Sequence, residues 1–123
     1  MRLGGGGVRW LGEVTDPQLA ELYRGARCLA YPSLYEGFGF SVLEAMACGT
    51  PVVTSAGGAT EEIAGGVAVL VDPLDPSSIA AGIEEAVGRR QELAALGRER
   101  ARAFSWERTA AATAAVYREL AAD

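Results

Sequence analysis

The sequence predicts an α/β fold: a parallel sheet of about four strands with flanking helices. Three observations predict it. Short apolar runs alternate along the chain with segments of helical periodicity. The runs are nearly continuous in Val, Leu and Ala, as in strands buried on both faces. Two of them lead directly into glycine-rich turns, at 37–39 and 57–58, and in open parallel sheets the ligand crevice lies beyond the carboxyl ends of the strands.

Taken in order, residues 1–7 read as a flexible tail, since "GGGG" holds neither helix nor strand well. Residues 8–123 read as one domain. "VRWLG" (8–12) is a short strand candidate. "TDPQLAELYRGA" opens a helix with Thr15 or Asp16 as cap, proline in the first turn, and Leu19, Leu22 and Tyr23 on one face. "RCLAYPS" (27–33) is a second strand, buried on both faces and stopped by Pro32. From about Gly39 the pattern turns helical through Phe40, Leu43 and Ala47, with Gly49 as the terminal glycine. "PVVTS" (51–55) and "VAVLVD" (67–72) are the third and fourth strands, separated by a glycine turn and a short helix. A helix over 75–89 starts with an Asp or Ser cap around Pro76, and two more close the chain at roughly 90–103 and 105–121.

Composition excludes several chemistries. The 123 residues suffice for one modest domain, half of them hydrophobic and 22% charged, which is globular rather than disordered. A net charge of -5 without a basic block argues against a nucleic-acid partner. There is no histidine, so a serine–histidine–acid triad and a histidine metal site are ruled out. All 11 basic residues are arginine, so neither a P-loop lysine nor a Schiff base is available. Cys28 and Cys48 read as two reduced thiols of a cytoplasmic protein, and neither a secretory signal nor a membrane-spanning run is expected.

The stretch "EGFGFSVLE" (36–44) carries the chemistry. A helix beginning near Gly39 leaves its first N–H groups unpaired, and glycines let a ligand approach the main chain. The helix dipole favours an anion there, so this is the physics of a phosphate site. Glu36 in the loop and Glu44 in the second helical turn can each accept from sugar hydroxyls. A phosphate between two hydroxyl-bearing groups describes a nucleotide sugar. An isolated pair of glutamates at this spacing would more simply be a loop carboxylate and a solvated helix position; the preceding strand and the second glycine turn favour one shared ligand.

"YPSLYEGFGFSVLEAMACGTPVVTS" resembles the E-x7-E segment of retaining glycosyltransferases of the two-Rossmann-domain (GT-B) architecture, the group 1 or family 4 type. "GGATEEIAGGVAVLVDPLDPSSIAAGI" is similar to that family's G-G-x-x-E loop with its following strand and helix, and the likeness covers residues 8 to about 120. It implies a Rossmann-like fold, a nucleotide-sugar donor, and no cofactor or metal. It also implies roles. Glu36 would contact the donor sugar near the transfer centre as the catalytic residue. The loop at Gly37, with the amides of Phe38, Gly39 and Phe40, would meet the diphosphate and sugar. Glu44 would bind the ribose and Val14 the nucleobase. Gly57 and Gly58 would form the second loop near the donor, with Glu61 in support.

The family's N-terminal domain, which binds the sugar, lipid or small-molecule acceptor, has no counterpart in this sequence. Nor have the first two β-α units of the C-terminal domain, with their diphosphate-neutralising arginine and lysine. Arg24 and Arg27 do not match those positions. The expectation is therefore a fragment, inactive alone, of a cytoplasmic protein or one peripheral to the inner membrane. An exposed parallel edge is expected to pair: either residues 8–12 move beside "CLAYPS", or the chain dimerises or swaps elements. Trp106, Val116, Tyr117 and Leu120 read as packing residues of a closing helix whose partner domain is missing. The arginine-rich stretch 89–102 reads as a solvated face with local ion pairs. A free-standing sugar-nucleotide-binding or oligomerising module is the alternative; a GT-B epimerase or phosphorylase would lean on histidine or lysine, which this chain lacks.

Overall fold

The computed structural model describes residues 7–122. Of the expected tail, residues 1–6 lie outside the described residues. The elements are α1 (Asp16–Gly25), β1 (Leu29–Tyr31), α2 (Phe40–Ala47), β2 (Val52–Ser55), α3 (Gly58–Ala64), β3 (Val69–Val71), α4 (Pro76–Gly88), α5 (Arg90–Ala101) and α6 (Trp106–Ala121). The strands pair in parallel in the order β1-β2-β3, with Leu29 beside Val52 and Val53 beside Val69.

Local chemistry explains the helix starts. Thr15 caps α1 in a reciprocal box with Gln18, and proline stands in the first turn. Asp75 caps α4 just before Pro76, accepting from the Ser77 amide. Ser105 caps α6 by accepting from the Arg108 amide.

Side-chain alternation along β2 divides the core between the two faces of the sheet. Val52 joins Val42, Ala45, Met46 and Ile63 on one side, under α1, α2 and α3. Val53 joins Val69, Val71 and Ala86 on the other, under α4. Helix α4 lies so close to the sheet that a Cβ on Gly82 would stand 2.4 Å from Val71 Cγ1.

Two strand expectations need correction. Residues 8–12 form no strand; Val8 and Trp10 are exposed, and the segment does not lie on β1, which among the described residues pairs only with β2. A strand needs a ladder to satisfy its backbone, and water serves an unpartnered segment equally well. The sheet therefore has three strands rather than about four. Strand β1 is also shorter than 27–33 and not buried on both faces: Leu29 and Tyr31 are half-buried and Ala30 is exposed, because α4 covers only β2 and β3. Only β2, with neighbours on both sides, is buried at every residue.

Candidate functional site

Strands β1 and β2 are adjacent and parallel, so the loops after them leave from the same rim of the sheet. The loops meet there. A cleft of about 170 Å³ is lined by Ser33 to Glu36 from the first loop and Gly57 to Thr60 from the second. The hydroxyl of Ser55 at the end of β2 donates to the Ser33 carbonyl, tying the loops together at 2.5 Å.

Gly39 starts α2 from the left-handed region, with φ 97°, a conformation that costs an L-residue with a Cβ. A Cβ there would also stand 3.3 Å from Thr60 Cγ2, so the glycine is where the first loop presses on the second. No side chain caps α2, and its first N–H groups are left unclaimed by the protein's own caps. Gly57 and Gly58 hold φ 84° and 79°, which serves the sharp entry to α3. The Gly57 amide donates to Glu61 Oε2 at 2.6 Å, so Glu61 is engaged within its own loop.

The two glutamates of the E-x7-E segment are held by two tyrosines. Glu36 is half-buried and accepts from the Tyr31 hydroxyl. That bond raises the ionisation of the Tyr31 phenol above its ordinary range, with burial and the Glu36 charge adding to it. Glu44 is exposed and accepts from the Tyr23 hydroxyl at 3.4 Å. Tyr23 is buried, and its phenol is raised first by desolvation, then by the Glu44 charge and the bond to it.

Of the residues the sequence singles out, the structure gathers Glu36, Gly57 and Gly58 into the cleft, with Gly39 in contact with its wall at Thr60. Gly37 lies in the same loop, open to solvent. Glu44 lines a separate cavity of about 380 Å³ with Tyr23, Leu19 and Cys48. Val14 lines another, of about 610 Å³, with Leu11, Pro17 and Gln18. The side chains of Phe38 and Phe40 point away from the cleft lining: their rings lie 4.7 Å apart and border a cavity shared with Leu43, Phe104 and Trp106. Arg24 pairs with Glu21 on the surface, and among the described residues no arginine lines the cleft.

The sequence reading missed Tyr31, Tyr23, Thr60 and Arg100. Strand alternation puts Tyr31 on the face of Leu29, which is a usable signal; the Tyr23–Glu44 contact spans 21 residues and has none. The solvated reading of the arginine-rich stretch fits Arg89, paired with Glu85 and Glu92, and Arg102, paired with Glu99. It fails for Arg100, whose guanidinium donates to the carbonyls of Ile63 at 3.0 Å and Glu62 at 3.1 Å. Arg100 thereby serves the carboxyl end of α3, and it lies 4.8 Å over the Phe104 ring.

Residues 2–103 match the family model described as glycosyl transferases group 1. The chain is 41% identical over 118 residues to O-antigen chain mannosyltransferase B of Escherichia coli, covering 94% of this chain and 31% of that protein. It is 46% identical over 112 residues to D-inositol 3-phosphate glycosyltransferase of Geodermatophilus obscurus, covering 89% of this chain and 25% of that one. Among solved structures it superposes on sucrose-phosphate synthase from Thermosynechococcus elongatus with a TM-score of 0.78 and 36% identity, over 91% of this chain and 30% of the other. The chain thus spans 25% to 31% of the length of these relatives, and its fold matches part of a GT-B C-terminal domain. The chain belongs to the group 1 glycosyl transferase family, and its sequence is homologous to the donor-binding region of those enzymes.

Proposed function

We propose that this chain forms the donor-binding part of a glycosyltransferase that takes a sugar from a nucleoside diphosphate with retained configuration. The observation that carries the reading is the meeting of Glu36 and the Gly57–Gly58 turn in one cleft, with Gly39 against its wall at Thr60, at the carboxyl ends of adjacent parallel strands.

The roles follow from the chemistry of each group. Glu36 is the carboxylate lining the cleft and takes the donor sugar near the transfer centre. The uncapped start of α2, through the amides around Phe38, Gly39 and Phe40, meets the diphosphate together with Gly37 and the facing Gly57–Gly58 loop. Glu61 holds that second loop through the Gly57 amide. Glu44 accepts from the ribose, and Val14 lies against the base. Because Val14 and Glu44 line cavities separate from the cleft, the donor runs along several depressions rather than filling one pocket. Transfer leaves a nucleoside diphosphate whose charge needs electrostatic stabilisation. Among the described residues no cationic side chain lines the cleft, so the 123-residue chain alone binds donor weakly and does not transfer. The outer edge of β1, unpaired among the described residues, pairs with a second copy or a swapped element.

A thermal-shift titration with UDP, GDP and ADP tests the site. One of the three should raise the melting temperature progressively at concentrations above its dissociation constant. No shift with any of them at millimolar concentration would overturn donor binding by this chain. Sugar transfer by the purified chain would overturn its inactivity, and a monomer at all concentrations in sedimentation would remove the edge pairing.

A further inference from the structure

We infer that Tyr31 is a positioning residue for Glu36: its hydroxyl occupies one carboxylate oxygen and leaves the other free for a ligand hydroxyl in the cleft. The inference rests on the donor-binding reading above and deepens it, since it says how the sugar-facing carboxylate is aimed.

The two side chains differ in how firmly they are held. Tyr31 ends β1, is paired in register with Thr54, and its carbonyl accepts from the Thr54 hydroxyl at 2.9 Å. Its ring packs against the core under α2. Glu36 sits in the loop before α2, and among the described residues its hydrogen-bond partner is the Tyr31 hydroxyl. A loop glutamate otherwise samples many rotamers, and freezing it on binding would cost affinity. A carboxylate has roughly four lone-pair sites, so one phenol leaves most of its accepting capacity open.

Glu44 has a support of its own. Tyr23 is buried on α1, its carbonyl accepts from Thr50, and its hydroxyl donates to Glu44. The two carboxylates therefore lean on different elements, β1 for Glu36 and α1 for Glu44. Both phenols are raised above their ordinary ionisation and so remain neutral donors at neutral pH. Disturbing Tyr31 should change what the sugar contributes and leave the nucleotide's contribution in place.

The test compares wild type with Tyr31→Phe, which removes only the hydroxyl. Calorimetry gives the dissociation constants of UDP and UDP-glucose, GDP and GDP-mannose, and ADP and ADP-glucose for the 123-residue chain. For the pair that binds, the affinity gained from the sugar should fall by about five- to tenfold in Tyr31→Phe, with the nucleoside diphosphate constant unchanged. Equal weakening of both ligands would mean that Tyr31 only supports the structure, and would overturn the inference. A second readout needs no ligand. With Tyr labelled at the ring carbon bearing oxygen, an NMR titration should show Glu36→Gln bringing the Tyr31 ionisation down toward an ordinary phenol while Tyr23 stays raised. An unchanged Tyr31 titration would overturn the inference whatever the chain binds. If no probe binds wild type, the donor-binding reading fails, and the phenol titration by itself decides whether Tyr31 holds Glu36.

Discussion

Helices α2 and α6 exist for opposite reasons. Helix α2 has eight residues, too few to be stable alone, and no side-chain cap. Yet Val42, Ala45 and Met46 are buried, and α2 packs against α1, α3, β1, β2 and most heavily α5. Helix α6 has 16 residues, a Ser105 cap, Glu107 in its first turn, Arg118 in its last, and an alanine-rich middle. None of its residues is buried. Packing makes α2 and local chemistry makes α6. The difference matters for function, because a helix held by packing can dispense with a cap. Its first amides then remain available to a ligand, and that is the kind of helix found at the rim.

The largest effect that would break this comparison is a core truncation. Met46 is almost fully buried and touches Gly97 of α5. Met46→Ala should destabilise the chain by about 2–4 kcal/mol in urea unfolding. Leu120→Ala in α6, at a position 67% exposed, should change stability by no more than about 0.5 kcal/mol. Comparable losses from the two would mean that α6 is docked in solution, either on its own chain or on a second copy.

The next effect lies within the rim itself. Gly39→Ala meets both a φ of 97°, worth about 1–2 kcal/mol, and the buried side chain of Thr60. Gly37→Ala, two residues earlier, meets neither, and should stay within about 0.5 kcal/mol. Equal melting temperatures for the two variants would show that the left-handed start of α2 is not required.

What could be read from the sequence follows the same division. Local signals sufficed for a cap at Thr15 or Asp16, for an Asp or Ser cap around Pro76, and for the alternation of strands and helices; the structure settles on Thr15 and Asp75 and adds a Ser105 cap that the sequence reading did not name. The glycine turns also placed Glu36, Gly57 and Gly58 correctly on one rim, since a parallel sheet forces neighbouring strand ends together. Residues 8–12 misled because "VRWLG" has strand composition, and composition does not supply a partner edge. That Val14 and Glu44 line cavities of their own was not legible, because cavity walls depend on which side chains fill the space between. The Tyr23 support of Glu44 and the reach of Arg100 to α3 are long-range contacts with no local pattern, whereas Tyr31 lies five residues from Glu36 and on the strand face of Leu29.

A smaller effect tests the groups on the two faces of the sheet whose ionisation folding opposes. Burial raises the Cys28 thiol and the Tyr23 phenol, and the bond to Glu36 raises Tyr31. For each, the folded state favours the neutral form. The stability this confers is fully present below the unfolded ionisation, at the ordinary values of 9.0 for the thiol and 10.0 for the phenols, and is lost as pH rises through the higher folded values. The melting temperature should therefore fall as pH climbs above about 9, and Tyr23→Phe should flatten the upper part of that fall. A melting temperature that holds level across this range would contradict the burial of these groups.

The smallest effect on the whole chain is the one that isolates α6. Removing its cap with Ser105→Ala should leave the global unfolding midpoint unchanged, because no residue of α6 is buried. The loss should appear instead as faster amide exchange at Glu107, Arg108 and Thr109. The Arg108 amide would lose its partner in the Ser105 hydroxyl, and capping side chains are worth about 1 kcal/mol to the helix they start. Peptides take the comparison to its limit. A peptide spanning 104–122 should keep partial helicity by circular dichroism, and one spanning 39–50 should have none, since eight helical residues without packing cannot repay nucleation. A helical 39–50 peptide would mean that α2 carries its own signal after all, and that its bare amino end owes nothing to the core beneath it.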